Sequence, residues 1–368
     1  MGHHCKFNYF SAEKKPVTEL SYMPGIRENT DAVFMRMALA LAKKGWGLVS
    51  PNPMVGAVIV KNGEIIGRGF HRKAGEAHAE INAMNNASAS LKGSTLYVTL
   101  EPCSSFGRTP PCTDAIMKSG ISKVVIGVSD PNPSHAGKAV KILEENGITV
   151  TAGIEEKKCG KLNEAFFKWI VSGMPFVLLK LAVTLDGKIA TAEGESKWIT
   201  GPAARCRVQA LRRWADAVMV GGETLRRDSP SLSVREPEGW ERQPRRIVCS
   251  RTMNADELFR IMPEGRTPEL ISPDYPEAWH SFLKKLGSEN VTSLLIEGGG
   301  ELAASVLDAG IVDKVEFHIA PKILGGRRSR PSVGGKNPLS LADAFNISDI
   351  SVRKYGCDIA LSGYIKKK

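Results

Sequence analysis

The pattern His78-Ala79-Glu80, Pro102-Cys103 and Cys112 leaves this chain the fewest ways to fold. If one ion is to take all three donors, a helix start bearing His78, a strand-to-loop segment bearing Cys103 and the approach to a further helix at Cys112 must meet at a point. One imidazole and two thiolates make a tetrahedral zinc site whose fourth corner is open to water, as hydrolytic zinc requires; a structural site normally shows a fourth Cys or His nearby. Glu80, two residues beyond His78, stays free to act as a base that takes a proton from water and hands it to a leaving group. A lone His-x-Glu is usually a solvated helix start, and two cysteines separated by eight residues are usually buried thiols. Here the pieces occur in chain order, with Pro102 before the first cysteine and strand, loop and helix around both, so a catalytic metal is the better reading.

Hydrophobic periodicity supplies the elements that carry this site. Val33, Phe34, Met37, Ala38 and Leu41 recur at helical spacing up to Lys44-Gly45, and Met54–Val60 predicts a strand closed by an Asn62-Gly63 hairpin turn. Helices are predicted over Ala77–Ala87, Pro111–Ser119 and Lys138–Asn146, and strands over Thr95–Leu100, Lys123–Val128 and Thr149–Ala152. A helix at Asn163–Val171 precedes Gly173-Met174-Pro175, which interrupts the pattern before the apolar run Phe176–Val183. Beyond it, strands are predicted at Ala217–Val220, Arg246–Ser250, Ser293–Ile296 and Lys314–Ile319, with helices at Arg205–Trp214 and Glu301–Ala309. This alternation implies α/β layers twice over, and 368 residues suffice for two cores. We therefore expect an N-terminal extension over 1–28, a first domain over 29–172 and a second over 173–368.

Composition narrows the function classes. No window approaches eighteen consecutive apolar residues, and the first thirty positions lack an apolar signal core, so a cytoplasmic protein without a membrane span is expected. Seven cysteines, an odd number in a long chain, do not suggest a disulfide framework. The formal charge of +11 invites a nucleic-acid reading, but residues 1–172 carry 21 Lys+Arg against 15 Asp+Glu and 173–368 carry 29 against 24, so the excess is shared. Outside predicted helices, Arg327-Arg328 with Arg330 is the one internal basic cluster, and aromatics are only 7%. A small phosphorylated substrate fits this as well as RNA does.

The order H-x-E followed by P-C-x-x-C is the signature of zinc deaminases acting on cytosine or adenine, and this chain matches all but the last spacing. Thr99-Leu100-Glu101-Pro102-Cys103 with Gly107-Arg108-Thr109-Pro110-Pro111-Cys112 resembles the deaminase half of the bifunctional riboflavin-biosynthesis deaminase/reductase family, which has a long loop between its zinc cysteines. Pro51-Asn52-Pro53 with Val55-Gly56, Gly69-Phe70-His71 with Ala74-Gly75, and Asp130-Pro131-Asn132-Pro133 are similar to family motifs in the same order. The resemblance implies a cytidine-deaminase-like three-layer domain in which Asn52, His71, Arg108, Asp130 and Asn132 hold the aminopyrimidine and ribose. From the residues alone, Asn52 and Asn132 serve nearly as well as Asx-turn caps in Pro-flanked loops. One departure stands out: Ser105 occupies the place where the family usually has a histidine.

In the second domain, Ile296-Glu297-Gly298-Gly299-Gly300-Glu301 follows a predicted strand and opens a helix, so its backbone amides suit an anion, or simply a tight turn. No acidic residue follows at the distance that a Rossmann ribose contact needs. Lys180-Leu181-Ala182-Val183-Thr184-Leu185-Asp186-Gly187-Lys188 and Gly194-Glu195-Ser196-Lys197-Trp198-Ile199-Thr200 resemble the reductase half of the same family, similar in fold to dihydrofolate reductase. The resemblance implies that Ser196, Arg212, Leu232, Arg235 and Glu297 contact the ribosyl phosphate substrate. It likewise implies that Ala182, Trp198, Thr224, Asp228, Ser250 and Gly298, Gly299 and Gly300 contact NADPH. Arg212 and Arg235 suit a phosphate because a guanidinium fork binds it bidentately. Relatives commonly show two adjacent Asp where this chain has Asp228-Ser229.

The implied function is zinc-dependent hydrolytic deamination of 2,5-diamino-6-(5-phosphoribosylamino)pyrimidin-4-one, followed by NADPH-dependent reduction of its ribosyl group to ribityl. One Zn2+ per chain, a small phosphorylated pyrimidine as substrate, no nucleic-acid or membrane partner, and a homo-oligomer are expected. The alternatives are a polynucleotide-editing deaminase with an accessory domain, and a scaffold in which one domain only binds.

Overall fold

The computed structural model describes residues 30–106, 110–133, 135–262 and 268–366, so the expected extension over 1–28 lies outside them. The chain divides into two compact units between Asn163 and Glu164, while Gly173-Met174-Pro175 lies further on, between a helix and a strand of the second unit.

The first unit runs α1 (Thr30–Ala42), β1 (Gly56–Lys61), β2 (Glu64–Phe70), α2 (Ala79–Asn85), β3 (Thr95–Leu100), α3 (Cys112–Ser119), β4 (Lys123–Val128), α4 (Lys138–Glu145), β5 (Thr149–Ala152) and α5 (Glu156–Leu162). Its sheet has the order β2-β1-β3-β4-β5. The first two pairings are antiparallel, and the β1–β2 turn uses Asn62 and Gly63 at φ 53° and 81° as predicted. The last two are parallel and need crossovers, which α3 and α4 supply. Successive strand residues point to opposite faces, so both faces must be covered. Val58, Tyr97 and Val125 meet Phe34, Met35 and Cys159 of α1 and α5. Ile59, Leu96 and Ile126 meet Ala83, Ile116 and Leu143 of α2, α3 and α4. The result is the expected three-layer domain.

The second unit runs α6 (Glu164–Ser172), β6 (Phe176–Thr184), β7 (Lys188–Ala190), α7 (Pro202–Trp214), β8 (Ala217–Gly221), α8 (Gly222–Asp228), β9 (Arg245–Cys249), α9 (Ala255–Ile261), β10 (Glu269–Ile271), α10 (Pro276–Ser288), β11 (Ser293–Glu297), α11 (Gly300–Asp308), β12 (Lys314–Ala320), β13 (Arg330–Pro331), β14 (Ile347–Tyr355) and β15 (Asp358–Ile365). The main sheet is ordered β10-β9-β8-β11-β6-β12-β15-β14, parallel from β10 to β12 and antiparallel beyond. Along β6, Val177, Leu179, Leu181 and Val183 pack with α10 and α11, whereas Leu178 faces α7 to α9. The hairpin of β14 and β15 extends this sheet at its antiparallel edge. β14 escaped detection because most of its side chains are exposed, so it carries no clear apolar alternation. Among the described residues, no helix is long and apolar enough to cross a membrane.

Candidate functional site

In the first unit, chain ends converge as the motif demands. His78 is the N-cap of α2, Cys103 follows β3, and Cys112 is the first residue of α3. His78 Nδ1 lies 3.5 Å from Cys103 Sγ and 3.4 Å from Cys112 Sγ, and the three donor atoms all lie within 4.8 Å of one another. Zinc bonds to nitrogen and sulfur give tetrahedral edges of about 3.5 Å, so this donor set fits a zinc ion without rearrangement. The Cys112 amide, at the start of α3, donates to Cys103 Sγ at 3.2 Å. Hydrogen bonding from Cys112 and His78 holds the Cys103 thiol down to about 4, which favours the thiolate that a metal requires.

Glu80 sits in the first turn of α2, is buried, and lies beside the Cys112 thiol. Burial pushes its carboxyl above the ordinary range, the direction a proton carrier needs. Asn52 and His71 are brought together: Asn52 Nδ2 donates to His71 Nε2 at 3.1 Å, while His71 Nδ1 reaches the Ala77 carbonyl at 3.2 Å. A carbonyl only accepts, so Nδ1 carries the proton and the ring is neutral, and burial lowers its pKa. The His71 ring stands edge-on to His78 with centroids 5.4 Å apart, so Asn52 and His71 border the metal site. Asn163 fixes the Asn52 loop by bonding both the N–H and the C=O of Met54, at 2.8 and 2.9 Å.

Asp130 Oδ1 accepts from the Asn132 N–H at 2.9 Å, which makes an Asx turn at Asp130. Sequence reasoning missed the residue that organises this loop. Glu101, buried one residue before Pro102, accepts from the backbone N–H groups of Asp130, Gly137 and Ala139, each at 3.1 Å. Its place within the zinc motif was the available signal. Ser105 is exposed, and Arg108 lies outside the described residues.

In the second unit a cavity of about 980 Å³ opens along the carboxyl ends of the parallel strands. Ser196, Arg212, Leu232, Arg235, Glu297, Ala182, Trp198, Thr224, Asp228, Ser250, Gly298, Gly299 and Gly300 all line it. The volume is at the upper end of the ~300–1,000 Å³ range of ligand pockets. Gly298 and Gly299 take φ of 76° and 91° ahead of α11, and a side chain on Gly298 would meet nothing within 4 Å, so the turn is open in front of the helix N-terminus.

Three residues behave differently from the sequence expectation. Arg212 is not a free fork for phosphate: its Nε and Nη2 donate to Glu297 Oε1 and Oε2 at 2.6 and 2.9 Å, and its Nη1 to the Ser233 carbonyl at 3.1 Å. Leu232 has a fully buried side chain in the core beneath α7, so it offers the cavity backbone only. Ser229 is the left-handed C-cap of α8 at φ 40°, a conformation that an Asp tolerates better than a Ser, so this departure concerns the backbone. Ser196 Oγ donates to Asp228 Oδ1 at 3.0 Å, and the exposed Trp198 ring lies under the Arg205 guanidinium at 4.7 Å, a stack that the sequence did not announce.

The matches with known proteins follow this division. Residues 28–128 match the family model "Cytidine and deoxycytidylate deaminase zinc-binding region", and residues 175–361 match "RibD C-terminal domain". The chain is 43% identical over 357 residues to "Riboflavin biosynthesis protein RibD" of Actinobacillus pleuropneumoniae, covering 90% of this chain and 94% of that protein. The protein of the same name from Escherichia coli is 39% identical over 363 residues, covering 90% and 98%. Among solved structures, Acinetobacter baumannii RibD, form 1, is 37% identical with a TM-score of 0.83, covering 92% of this chain and 99% of that one. A Thermotoga maritima structure described as a diaminohydroxyphosphoribosylaminopyrimidine deaminase/5-amino-6-(5-phosphoribosylamino)uracil reductase is 36% identical with a TM-score of 0.79, again covering 92% and 99%.

Proposed function

This chain belongs to the RibD family of bifunctional deaminase/reductases of riboflavin biosynthesis, and on that footing we propose how its own residues divide the work. The first unit removes the 2-amino group of 2,5-diamino-6-(5-phosphoribosylamino)pyrimidin-4-one as ammonia, with one water consumed. The second reduces the ribosyl group of the deaminated product to ribityl.

The observation that carries this reading is the convergence of His78 Nδ1 with the two cysteine sulfurs beside a buried Glu80. His78, Cys103 and Cys112 hold one zinc, which supplies activation of water when bound. Glu80 carries one proton from that water to the ring nitrogen as the C–O bond forms, and then the proton of the added hydroxyl to the amine, which leaves as ammonia as the carbonyl forms. Asn52, through its contact with neutral His71, and the Asp130–Asn132 turn, held by Glu101, orient the pyrimidine and ribose. Arg108 joins them by its place in the family motif.

In the second unit, NADPH supplies the hydride, so the cavity's task is orientation and the exclusion of water. Ser196, Arg235, Glu297 and the Leu232 backbone border the sugar phosphate. Ala182, Trp198, Thr224, Asp228, Ser250 and Gly298 to Gly300 border the cofactor. Arg212 acts through Glu297, fixing its carboxylate at the cavity wall. The family assignment favours this nucleotide-level chemistry over a polynucleotide-editing deaminase.

Metal analysis by atomic emission, coupled to ammonia release and NADPH oxidation on the diaminopyrimidinone nucleotide, tests the proposal. A single zinc per chain with both signals is the expected result. Zinc with ammonia but no NADPH oxidation overturns the reductase assignment, and absence of zinc overturns the deaminase mechanism.

A further inference from the structure

Trp198 lines the cavity of the second unit and is 62% exposed, so packing does little to fix it. Two cations hold it instead. The Arg205 guanidinium lies 4.7 Å from the ring centroid, and Arg205 Nη1 donates to the Thr200 carbonyl at 2.9 Å, which anchors that cation. From elsewhere in the chain, Lys322 Nζ donates to the Trp198 carbonyl at 2.8 Å. Lys322 is exposed and belongs to the segment 321–329, which joins β12 to β13 without regular structure. An exposed side chain on such a segment stays on one acceptor only where the backbone that carries it is itself held.

The turn after β6 holds it. Asp186 Oδ1 accepts from the Thr184 hydroxyl at 2.6 Å and from the Leu324 N–H at 3.0 Å, and Oδ2 accepts from the Gly325 N–H at 2.8 Å. The Leu185 N–H donates to the Lys322 carbonyl at 2.7 Å. Thr184 Oγ1 in turn accepts from the Lys188 N–H at 2.9 Å, which closes the turn beneath the carboxylate. Gly325 and Gly326 take φ of 66° and 78°, so the clamp opposes the wide backbone freedom of two glycines. The Thr184 hydroxyl and the Leu324 and Gly325 amides hold the Asp186 carboxyl down to about 2, so the clamp stays ionised through the neutral range. The Gly187 carbonyl separately accepts from the Ser332 N–H at 3.0 Å, a backbone contact that does not depend on the Asp186 side chain. Neither Asp186 nor Lys322 is among the described residues that line the cavity.

We propose that Asp186 is a positioning residue for the reduction: it latches the segment after β12 so that Lys322 stays on the Trp198 carbonyl and the ring keeps its place at the cavity wall. This rests on the reading of Trp198 as a cofactor contact given above. A carboxylate suits the task because it accepts several bonds at once and has no donor of its own, whereas a side-chain amide would turn an N–H toward one of the two backbone amides.

The test is NADPH oxidation by the full-length zinc-loaded protein on pre-deaminated substrate, with KM for NADPH and kcat measured separately. Lys322→Met, a change at an exposed side chain, removes the bond to Trp198 without touching the turn. It should raise that KM about tenfold, the scale of losing a hydrogen bond to a charged group, with a smaller fall in kcat. Asp186→Ala should raise KM as much, and Asp186→Asn, which keeps one acceptor oxygen, should fall between. The double variant Asp186→Ala/Lys322→Met should be no worse than either single one, because both changes break the same link. A purely structural role would lower the active fraction, and so the apparent kcat, and leave KM where it was. A Lys322→Met protein with the KM of the intact protein overturns the proposal, even where Asp186→Ala fails to fold, and so do additive effects of the two changes. An intact protein that does not oxidise NADPH overturns the cofactor reading instead.

Discussion

Arg212 and Glu297 face one another as a bidentate pair at the wall of the second unit's cavity, Nε to Oε1 at 2.6 Å and Nη2 to Oε2 at 2.9 Å, both side chains nearly buried. Burial alone would push Glu297 up; the charge and hydrogen bonds of Arg212, aided by Lys180, outweigh it and leave the carboxyl below its ordinary value. Arg212, which lines the cavity, thus keeps a buried carboxylate ionised.

Arg212→Met should cost about 3–5 kcal/mol, because it strands a buried charge. Arg212→Met combined with Glu297→Leu should recover most of that loss while leaving the reductase inactive. Arg235→Gln, on an exposed side chain, should change stability by no more than about 0.5 kcal/mol. Urea unfolding of the three variants, with NADPH oxidation measured alongside, checks the set; a mild Arg212→Met single variant would contradict the pairing argument.

Glu80→Gln keeps the shape of a buried side chain but removes the proton acceptor. Ammonia release should fall by about 10²–10⁴-fold. Zinc content and NADPH oxidation on pre-deaminated substrate should persist. Chelation should give a different pattern, with zinc and ammonia release lost together and reduction spared. Substantial deamination by the Gln variant would remove Glu80 from its role.

Glu101 ties three backbone N–H groups of the loop and helix start at 130–139 to the end of β3. Glu101→Ala leaves those donors without their acceptor and should cost about 1–3 kcal/mol. Because Asp130 and Asn132 ride on that loop, the KM for deamination should rise more than kcat falls. Hydrogen exchange localised to 130–139 would show the loosening directly.

Acid should destabilise the second unit from mildly acidic pH. His318 is fully buried, and burial lowers its pKa from the ordinary 6.5, with Lys180 and Arg207 adding repulsion. The unfolded chain therefore takes up a proton near 6.5 that the folded one refuses, so the stability this group contributes is complete above 6.5 and is lost as pH falls. Glu316 adds a second stage at lower pH. Burial raises it, but the His318 contact at 2.9 Å and the Arg207 fork at 3.0 Å hold it below 4.5, so its contribution fades as pH drops under that value. His318→Gln, which can still donate to Glu316, should remove the first stage and retain the second. Urea midpoints measured from pH 8 to pH 4 distinguish the two stages.

The chain's local chemistry was legible without coordinates. β3 and β4 were predicted to the residue because each is a short run rich in β-branched, aliphatic and aromatic side chains bounded by turn residues. His78, Glu80, Cys103 and Cys112 were legible because a metal demands particular donor types, and two helix starts and a strand end deliver the three ligands to one place. What the sequence could not determine is which charges neutralise each other across the fold. The fork of Arg212 looks equally suited to phosphate until β11 delivers Glu297 to it, and Glu101 looks like one more letter of a motif until β4 and α4 bring three amides within 3.1 Å. Period and propensity act over a few residues, whereas an ion pair or a loop clamp joins residues 29 to 85 positions apart, so only tertiary packing decides whether a charged side chain awaits a ligand or already has its partner.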